Sequence, residues 1–83
     1  MTRATLASLK KGQSAEIISV DDIPGDADLT QRLMEIGMLA GERVDLIHEA
    51  PFGKDPIAVR VRGALIALRR SEAMAVKVKL RHE

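Results

Sequence analysis

Two segments of this chain alternate between apolar residues and charged or small ones. They are "PIAVRVRG" (residues 56–63) and "AVKVKLR" (residues 75–81). Successive side chains of a β-strand point to opposite faces, so a period of two predicts strands with one face towards a core and the other towards solvent. The residues expected to face the core are Ile57, Val59, Val61, Val76, Val78 and Leu80. Such strands must pair, and the chain is therefore expected to form a sheet.

Three further segments predict strands. They are the β-branched run Ser14 to Val20, a stretch from about Arg43 to Glu49, and "ALIALRR", which follows a turn at Gly63. Five short strands separated by turn residues are typical of a small antiparallel barrel, because closure covers one face and limits open edges.

One helix is expected between the first and second of these strands, in "DLTQRLMEIG" (residues 28–37). Its apolar stripe consists of Leu29, Leu33 and Ile36, which recur at the helical period. Asp28 with Gln31 resembles a capping box, and Asp26 is a competing N-cap. Gly37 is expected to end the helix in a left-handed conformation. A single further helical turn is expected at Ser71 to Met74.

The length of 83 residues allows one domain, residues 1–83, with a core of aliphatic residues and Met, since Phe52 is the only aromatic residue. The chain contains no Cys, which fits a reducing compartment. Its start has no apolar core of a signal peptide, and its longest apolar run, Ala64 to Leu68, is far below the ~20 residues of a membrane-spanning helix. We expect a soluble cytoplasmic protein with no direct insertion into a membrane.

The sequence gives little support for an enzymatic function or for binding of nucleic acids. The sequence has no nucleophile elbow, no HExxH and no Gly-rich phosphate loop, so we expect no catalysis. The net charge is only +1, and the near absence of aromatic residues removes the stacking on which single-stranded recognition depends. We therefore expect no nucleic-acid partner.

A divalent metal site is a second interpretation. His48 and Glu49 are adjacent candidate ligands, Asp21 and Asp22 offer carboxylates, and the terminal pair His82 and Glu83 could capture metal adventitiously. By strand parity His48 is expected to face the core with Val44 and Leu46, and Glu49 to point away. The same pattern fits a structural histidine at a strand end, and no cofactor is required by it.

The remaining feature is a set of apolar residues outside the periodic stripes. Phe52 lies in a turn between Pro51 and Gly53, while Met34 flanks the helix stripe and Met38 and Leu39 follow Gly37. Leu33 and Ile36 are expected in the core. For Phe52, Met34 and Met38, core packing and a surface for a partner remain equally open, since Met fills irregular cores and also adapts to partners. Arg32 lies outside the apolar stripe.

Several short motifs together resemble the FeoA family across nearly the whole chain. In order, they are Arg32-Leu33, Gly37-Met38, Gly41, Ala50-Pro51-Phe52-Gly53, Asp55-Pro56-Ile57 and Ala67-Leu68-Arg69 followed by Glu72-Ala73. The same barrel resembles the C-terminal SH3-like domain of repressors of the diphtheria toxin repressor type. Two positions depart from the family pattern. Ala40 replaces the Pro common before the turn glycine, and Lys54 is an extra residue where many relatives read Gly-Asp-Pro.

The resemblance implies an SH3-like barrel that serves as a cytoplasmic accessory protein of bacterial ferrous iron transport. The implied partner is the cytosolic region of the membrane permease FeoB. We hypothesise that Phe52, with Met34, Met38, Leu39 and Arg32, forms the contact surface. The alternative is a small protein that binds Fe²⁺ or Zn²⁺ through His48 and Glu49, with the metal at the interface of a homo-oligomer.

Overall fold

A computed structural model describes residues 3–23 and 25–81. The elements, in chain order, are β1 (Arg3–Thr5), a 3-10 turn (Leu6–Ser8), β2 (Ser14–Val20), α1 (Ala27–Ile36), β3 (Arg43–Glu49), β4 (Ile57–Val61), β5 (Ala64–Leu68), α2 (Arg70–Ala73) and β6 (Val76–Leu80). The six strands form one antiparallel sheet in the order β1-β6-β2-β3-β4-β5. The predicted mainly β fold is confirmed, with β1 as an additional strand, so that α1 lies between the second and third strands.

The inward faces of the strands supply most of the core. Its fully buried large side chains are Leu6, Leu9, Ile17, Leu33, Met38, Leu46, Ile57, Leu68, Val44, Val59, Val61 and Val76. The residues of β4 that were predicted to face the core are all buried, and of those in β6 Leu80 alone is half-buried. Each aliphatic side chain buried in this way contributes about 1.5–3 kcal/mol. No helix among the described residues has both the length and the apolar character needed to cross a membrane.

Helix α1 begins at the competing cap. The Asp26 carboxylate accepts a hydrogen bond from the Leu29 amide at 3.0 Å, so Asp26 rather than Asp28 is the N-cap. The buried polar residue of the helix is Thr30, whose hydroxyl accepts a hydrogen bond from the Ile23 amide at 3.0 Å. Because that bond satisfies the hydroxyl, the helix can place Thr30 against the core.

The end of α1 explains two wrong expectations. Gly37 adopts φ 119°, the Met38 amide donates to the Leu33 carbonyl at 2.9 Å and the Gly37 amide donates to the Met34 carbonyl at 3.1 Å. This pair of bonds is the Schellman motif, which typically places the second residue after the helix against its last turn. Met38 is therefore completely buried, whereas Ile36 lies at the surface. Met38, proposed as a contact residue, belongs to the core, and Ile36, expected there, does not.

Strand β3 contains an irregularity that reverses the predicted orientation of its last residues. The pairing of β3 with β4 shifts register between Leu46 and His48, so Ile47 is an extra residue. A bulge of this kind changes the parity of the residues that follow it. His48 is exposed and pairs with Ala58, while Glu49 turns towards the interior. The prediction that His48 faces the core and Glu49 points away is wrong for this reason.

The guanidinium group of Arg70 joins three distant segments. Its Nη1 donates to the Ala7 carbonyl at 2.6 Å and to the Leu9 carbonyl at 3.2 Å. Its Nη2 contacts a carboxylate oxygen of Glu49 at 3.1 Å, and its Nε donates to the Lys54 carbonyl at 2.8 Å. Only arginine offers so many donors in a fixed planar arrangement. Arg70 is thus a structural residue.

The groups around Arg70 are bonded as well. The backbone amide of Arg70 donates to the Asp55 carboxylate at 3.0 Å, and the amide of Lys11 donates to Glu49 at 3.1 Å. The first bond connects the loop between β3 and β4 to α2, and the second connects the end of β3 to the segment before β2. Hydrogen bonds to Glu49 and Asp55 therefore hold the loop close to its beginning and its end.

The Asp45 carboxylate links β2 to β3. It accepts hydrogen bonds from the Ser14 hydroxyl and from Arg43 Nε, the latter at 2.8 Å. Burial alone would raise the pKa of Asp45, but the bonds from Ser14 and Arg43, together with the charges of Arg43 and Arg60, outweigh it and hold the pKa below its usual value.

Replacing Asp45 by Asn should make stability less dependent on pH. The pKa of Asp45 is lower in the folded chain than its ordinary 3.8, so the carboxylate contributes stability above that pH and loses it as the pH falls through the folded value. The side chain is partly exposed, and we expect a difference of less than about 1 kcal/mol at neutral pH. Urea unfolding from pH 7 to pH 2.5 should show this difference shrinking towards acid pH; a difference that stays constant would contradict the assignment.

Gly37→Ala should destabilise the fold more than Gly12→Ala. Both glycines have positive φ, 119° and 88°, but a Cβ at Gly37 would lie 2.6 Å from Cδ of Arg62, whereas one at Gly12 meets nothing within 4 Å. The strain of the left-handed conformation costs roughly 1–2 kcal/mol at either position, and the contact with Arg62 adds to it only at Gly37. Denaturant unfolding of both variants measures the difference, and equal losses would show that Arg62 yields without cost.

Arg70→Lys should cost about 2 kcal/mol or more of unfolding free energy, because the ammonium group cannot reach the acceptors that the guanidinium joins. Arg69→Lys is the matched control, since Arg69 is exposed and forms no ion pair in the part of the chain that the structure describes. Urea unfolding at neutral pH compares the two. Similar stabilities would mean that Arg70 does not hold these segments together.

Candidate functional site

Phe52 lies at the surface, in the loop between β3 and β4. Its side chain is 90% exposed, and the loop residues on both sides of it are exposed too. Gly53 and Lys54 have φ values of 76° and 56°, so two consecutive left-handed residues reverse the chain directly after Phe52. The alternative that Phe52 caps the core is excluded by this exposure.

The loop that carries Phe52 is held by hydrogen bonds. The Ala50 amide donates to the Pro56 carbonyl at 3.0 Å and closes the loop at its base. The Lys54 carbonyl accepts a hydrogen bond from Nε of Arg70 at 2.8 Å. Hydrogen bonds therefore anchor the backbone on both sides of Phe52.

A second group of exposed apolar residues lies at the end of α1. Met34 and Leu39 are each somewhat less than half exposed, and Ile36 is close to them in exposure. Arg32 is exposed on the outer side of the helix, where it lines a shallow groove with Asp28, Gln31 and Glu35. Of the residues predicted to contact a partner, all but the buried Met38 are therefore at the surface.

These two groups do not form one patch. Gly37, which follows α1, contacts the side chain of Arg62 directly beyond the last residue of β4. The Phe52 loop precedes the first residue of β4. Five residues of extended strand separate the two ends by about 15 Å. Phe52 and Met34 consequently lie at opposite ends of the β4–β5 hairpin and not beside each other.

Among residues 3–23 and 25–81, the sequence interpretation missed three exposed apolar residues, of which Ile18 in β2 is the least exposed at 37%. Leu65 in β5 is 59% exposed and Met74, after α2, is 60% exposed. For Leu65 a signal existed. In "ALIAL" the residues on both faces of the strand are apolar, and a sheet with its core on one side can bury only one of these faces. For Met74 the short helical turn gives too few residues to define a face.

The proposed metal ligands are not brought together. His48 is exposed on one side of β3, and Glu49 turns to the other side, where it pairs with Arg70. Asp21 is paired with Lys77 at 3.6 Å. Across residues 3–23 and 25–81 the structure places no group of three or more His, Cys, Asp or Glu side chains where they could hold a metal ion. The predicted ligands His82 and Glu83 lie outside the described residues.

Comparison with known structures supports the barrel assignment. FeoA of Stenotrophomonas maltophilia, solved in complex with zinc and described as a prokaryotic SH3 domain protein, is 37% identical, with a TM-score of 0.80 over 90% of this chain and 88% of that one. FeoA of Chlorobium tepidum is 36% identical, with a TM-score of 0.79 over 92% of this chain and 69% of that one. IdeR of T. acidophilum, at 22% identity and a TM-score of 0.75, shares the fold over 98% of this chain and 35% of its own.

No curated protein sequence matches the chain at a significant level. The sequence of residues 4–80 matches the FeoA domain family. This match spans nearly the whole of the described barrel, from β1 to the end of β6. The chain therefore belongs to the FeoA family, which is associated with ferrous iron transport, and its SH3-like barrel is the fold of that family.

Proposed function

We propose that this protein is a non-enzymatic accessory protein of bacterial ferrous iron uptake that binds the cytosolic region of a FeoB-type permease. The observation that carries the proposal is the exposure of Phe52 on a loop fixed by Arg70. Membership in the FeoA family supports the link to iron transport. The S. maltophilia relative has been put forward as a ferrous iron transport activating factor, which supports a role on another protein. A cytosolic partner region implies a cytoplasmic location.

An exposed aromatic side chain on a rigid loop has the properties of an interface anchor. Aromatic residues are enriched among those that contribute most to protein–protein affinity, and they do so when they fill a pocket on the partner. Burying the Phe52 side chain could contribute about 1.5–3 kcal/mol. Since the loop is already ordered, little conformational entropy is lost when it binds.

Divalent metal binding is the second candidate, because the S. maltophilia relative was solved with zinc. Among the described residues, the imidazole available to a metal ion is that of His48, which is exposed on β3. Zn²⁺ or Fe²⁺ requires three or four ligands, so His48 would need ligands from a second copy. The metal would then lie between two copies, and binding would depend on dimer formation.

Phe52→Ala should weaken permease binding at least about tenfold while changing the unfolding free energy by less than about 1 kcal/mol, because an exposed side chain contributes to the interface and not to the core. Isothermal calorimetry with the purified cytosolic region of the permease, together with urea unfolding, measures both quantities. Met74→Ala is the control, since it removes an exposed apolar side chain that is not part of the loop. Unchanged affinity in Phe52→Ala would remove Phe52 from the interface.

The metal candidate is separated from docking by repeating the calorimetry with Fe²⁺ under anaerobic conditions and with a chelator. Docking through Phe52 predicts the same affinity for the permease region with Fe²⁺ and with the chelator. His48→Ala should bind the permease region with the affinity of the wild type. An affinity that requires Fe²⁺ and is lost in His48→Ala would instead make the second candidate correct.

A further inference from the structure

Strand β5 lies at the edge of the sheet and is paired on one side only. Its neighbour is β4, and no other strand of the described residues is hydrogen-bonded to it. The strand reads "ALIAL", with no charged residue and no proline, and Leu65 and Ala67 are exposed along it. Natural proteins usually protect an edge of this length with Lys, Pro or a bulge. None of these devices is present between residues 64 and 68, whereas the opposite edge, β1, is only three residues long.

The geometry of the hairpin determines which backbone groups of β5 are free. Strands β4 and β5 are joined by the two-residue turn Arg62-Gly63, with φ values of 50° and 81° at these positions. In such a turn the flanking residues Val61 and Ala64 form a hydrogen-bonded pair, and the hydrogen-bonded positions then alternate. The N–H and C=O groups of Leu65 and Ala67 therefore point away from β4.

These outward groups are available to another strand. The backbone hydrogen bonds of the described residues outside the strand ladders include none that involves residues 64–68. Leu65 and Ala67 thus present two donors and two acceptors in the spacing of a strand. An extended segment could add to the sheet at this edge through main-chain hydrogen bonds.

The charges around β5 indicate what kind of segment fits. Arg60 pairs with Leu65 across the hairpin, Arg62 lies in the turn, and Arg69 directly follows the strand. Arg60 and Arg69 form no ion pair in the described part of the chain, and Arg62 approaches Glu42 only at 3.9 Å. Residues 57–69 contain no acidic side chain. The edge is therefore apolar in the middle and has an arginine at each end, with Glu42 beside Arg62 and with the Glu72 carboxylate accepting a hydrogen bond from the Arg69 amide at 2.8 Å.

A second copy of the chain fits this edge less well. Antiparallel pairing of two β5 strands about Ile66 would place Ala64 opposite Leu68 of the other copy. The same register would bring the two Arg62 turns next to the Arg69 positions of the opposite copies. Like charges would then meet at both ends of the new ladder, which is unfavourable.

We propose that the β5 edge is a docking site for an extended segment of a partner protein that has apolar residues in its centre and carboxylates at its ends. The segment adds as a seventh strand, with main-chain bonds to Leu65 and Ala67. Its carboxylates lie near Arg62 and Arg69. This site is distinct from Phe52 and goes beyond the proposed contact with the permease.

The test uses the full chain, isotopically labelled, and two capped nine-residue peptides, EETVTVTEE and KKTVTVTKK. We expect EETVTVTEE to slow hydrogen exchange of the Leu65 and Ala67 amides by about tenfold, with no such effect from KKTVTVTKK. Raising the salt concentration should weaken the effect, since exposed charges are screened. In Arg69→Glu the preference for the Glu peptide should fall. Equal effects of both peptides, or none from either, would overturn the proposal.

Two controls distinguish strand addition from non-specific binding of the peptide. EETVTVTEE can be N-methylated at either of two sets of alternate residues. Methylation of one set should abolish binding and methylation of the other should preserve it, because only one set of peptide amides faces β5. Ala67→Pro should also abolish binding, since it removes an outward N–H that the β4 ladder does not use. Binding that survives methylation of one set of residues and also of the other would exclude strand addition.

Sedimentation velocity of the chain without peptide addresses the second copy. We expect a monomer over the concentration range used for the exchange experiment. Association that increases with concentration and disappears in Ala67→Pro would show that a second copy occupies the edge, and would overturn the assignment of an acidic partner segment.

Discussion

The guanidinium group of Arg70 is the contact on which the arrangement of the loops depends. It bonds to carbonyls near the start of the chain, to Glu49 at the end of β3 and to Lys54 in the Phe52 loop. A chain of 83 residues with one aromatic side chain has a small aliphatic core that cannot also fix its loops. A planar cation with several donors does this instead, since carbonyl groups are available in every segment.

Much of the sheet could be predicted because its strands carry a clear period of two. Strands β4 and β6 combine aliphatic residues with Arg or Lys, and the structure confirms them. Strand β1 was missed because three residues are too few to show a period, and its strand conformation comes from pairing with β6. The start of α1 was ambiguous because both Asp26 and Asp28 can accept an amide hydrogen bond, and only the structure distinguishes them.

The predictions for the site were wrong at Met38 and at the pair His48 and Glu49, and the sequence left the exposure of Phe52 open. Phe52 is exposed, as a loop position between Pro51 and Gly53 allowed. Met38 is buried because the Schellman motif turns the chain back on α1, a signal that Gly37 already contained. His48 and Glu49 exchanged faces because of one extra residue in β3, and a bulge has no comparable signature in the sequence.

The separation along the chain of the groups that Arg70 joins has a consequence for biosynthesis. Arg70 lies 63 residues from Ala7 and 16 from Lys54. During synthesis the Phe52 segment leaves the ribosome before α2 does, and at that stage the guanidinium group that donates to the Lys54 carbonyl is missing. Contacts so distant in sequence form late in folding, because a long stretch of chain must be ordered first. The Phe52 loop is thus held in place only after nearly the whole chain has been made and folded. Shortened products that end before α2 would lack the hydrogen bond from Arg70 that holds the loop.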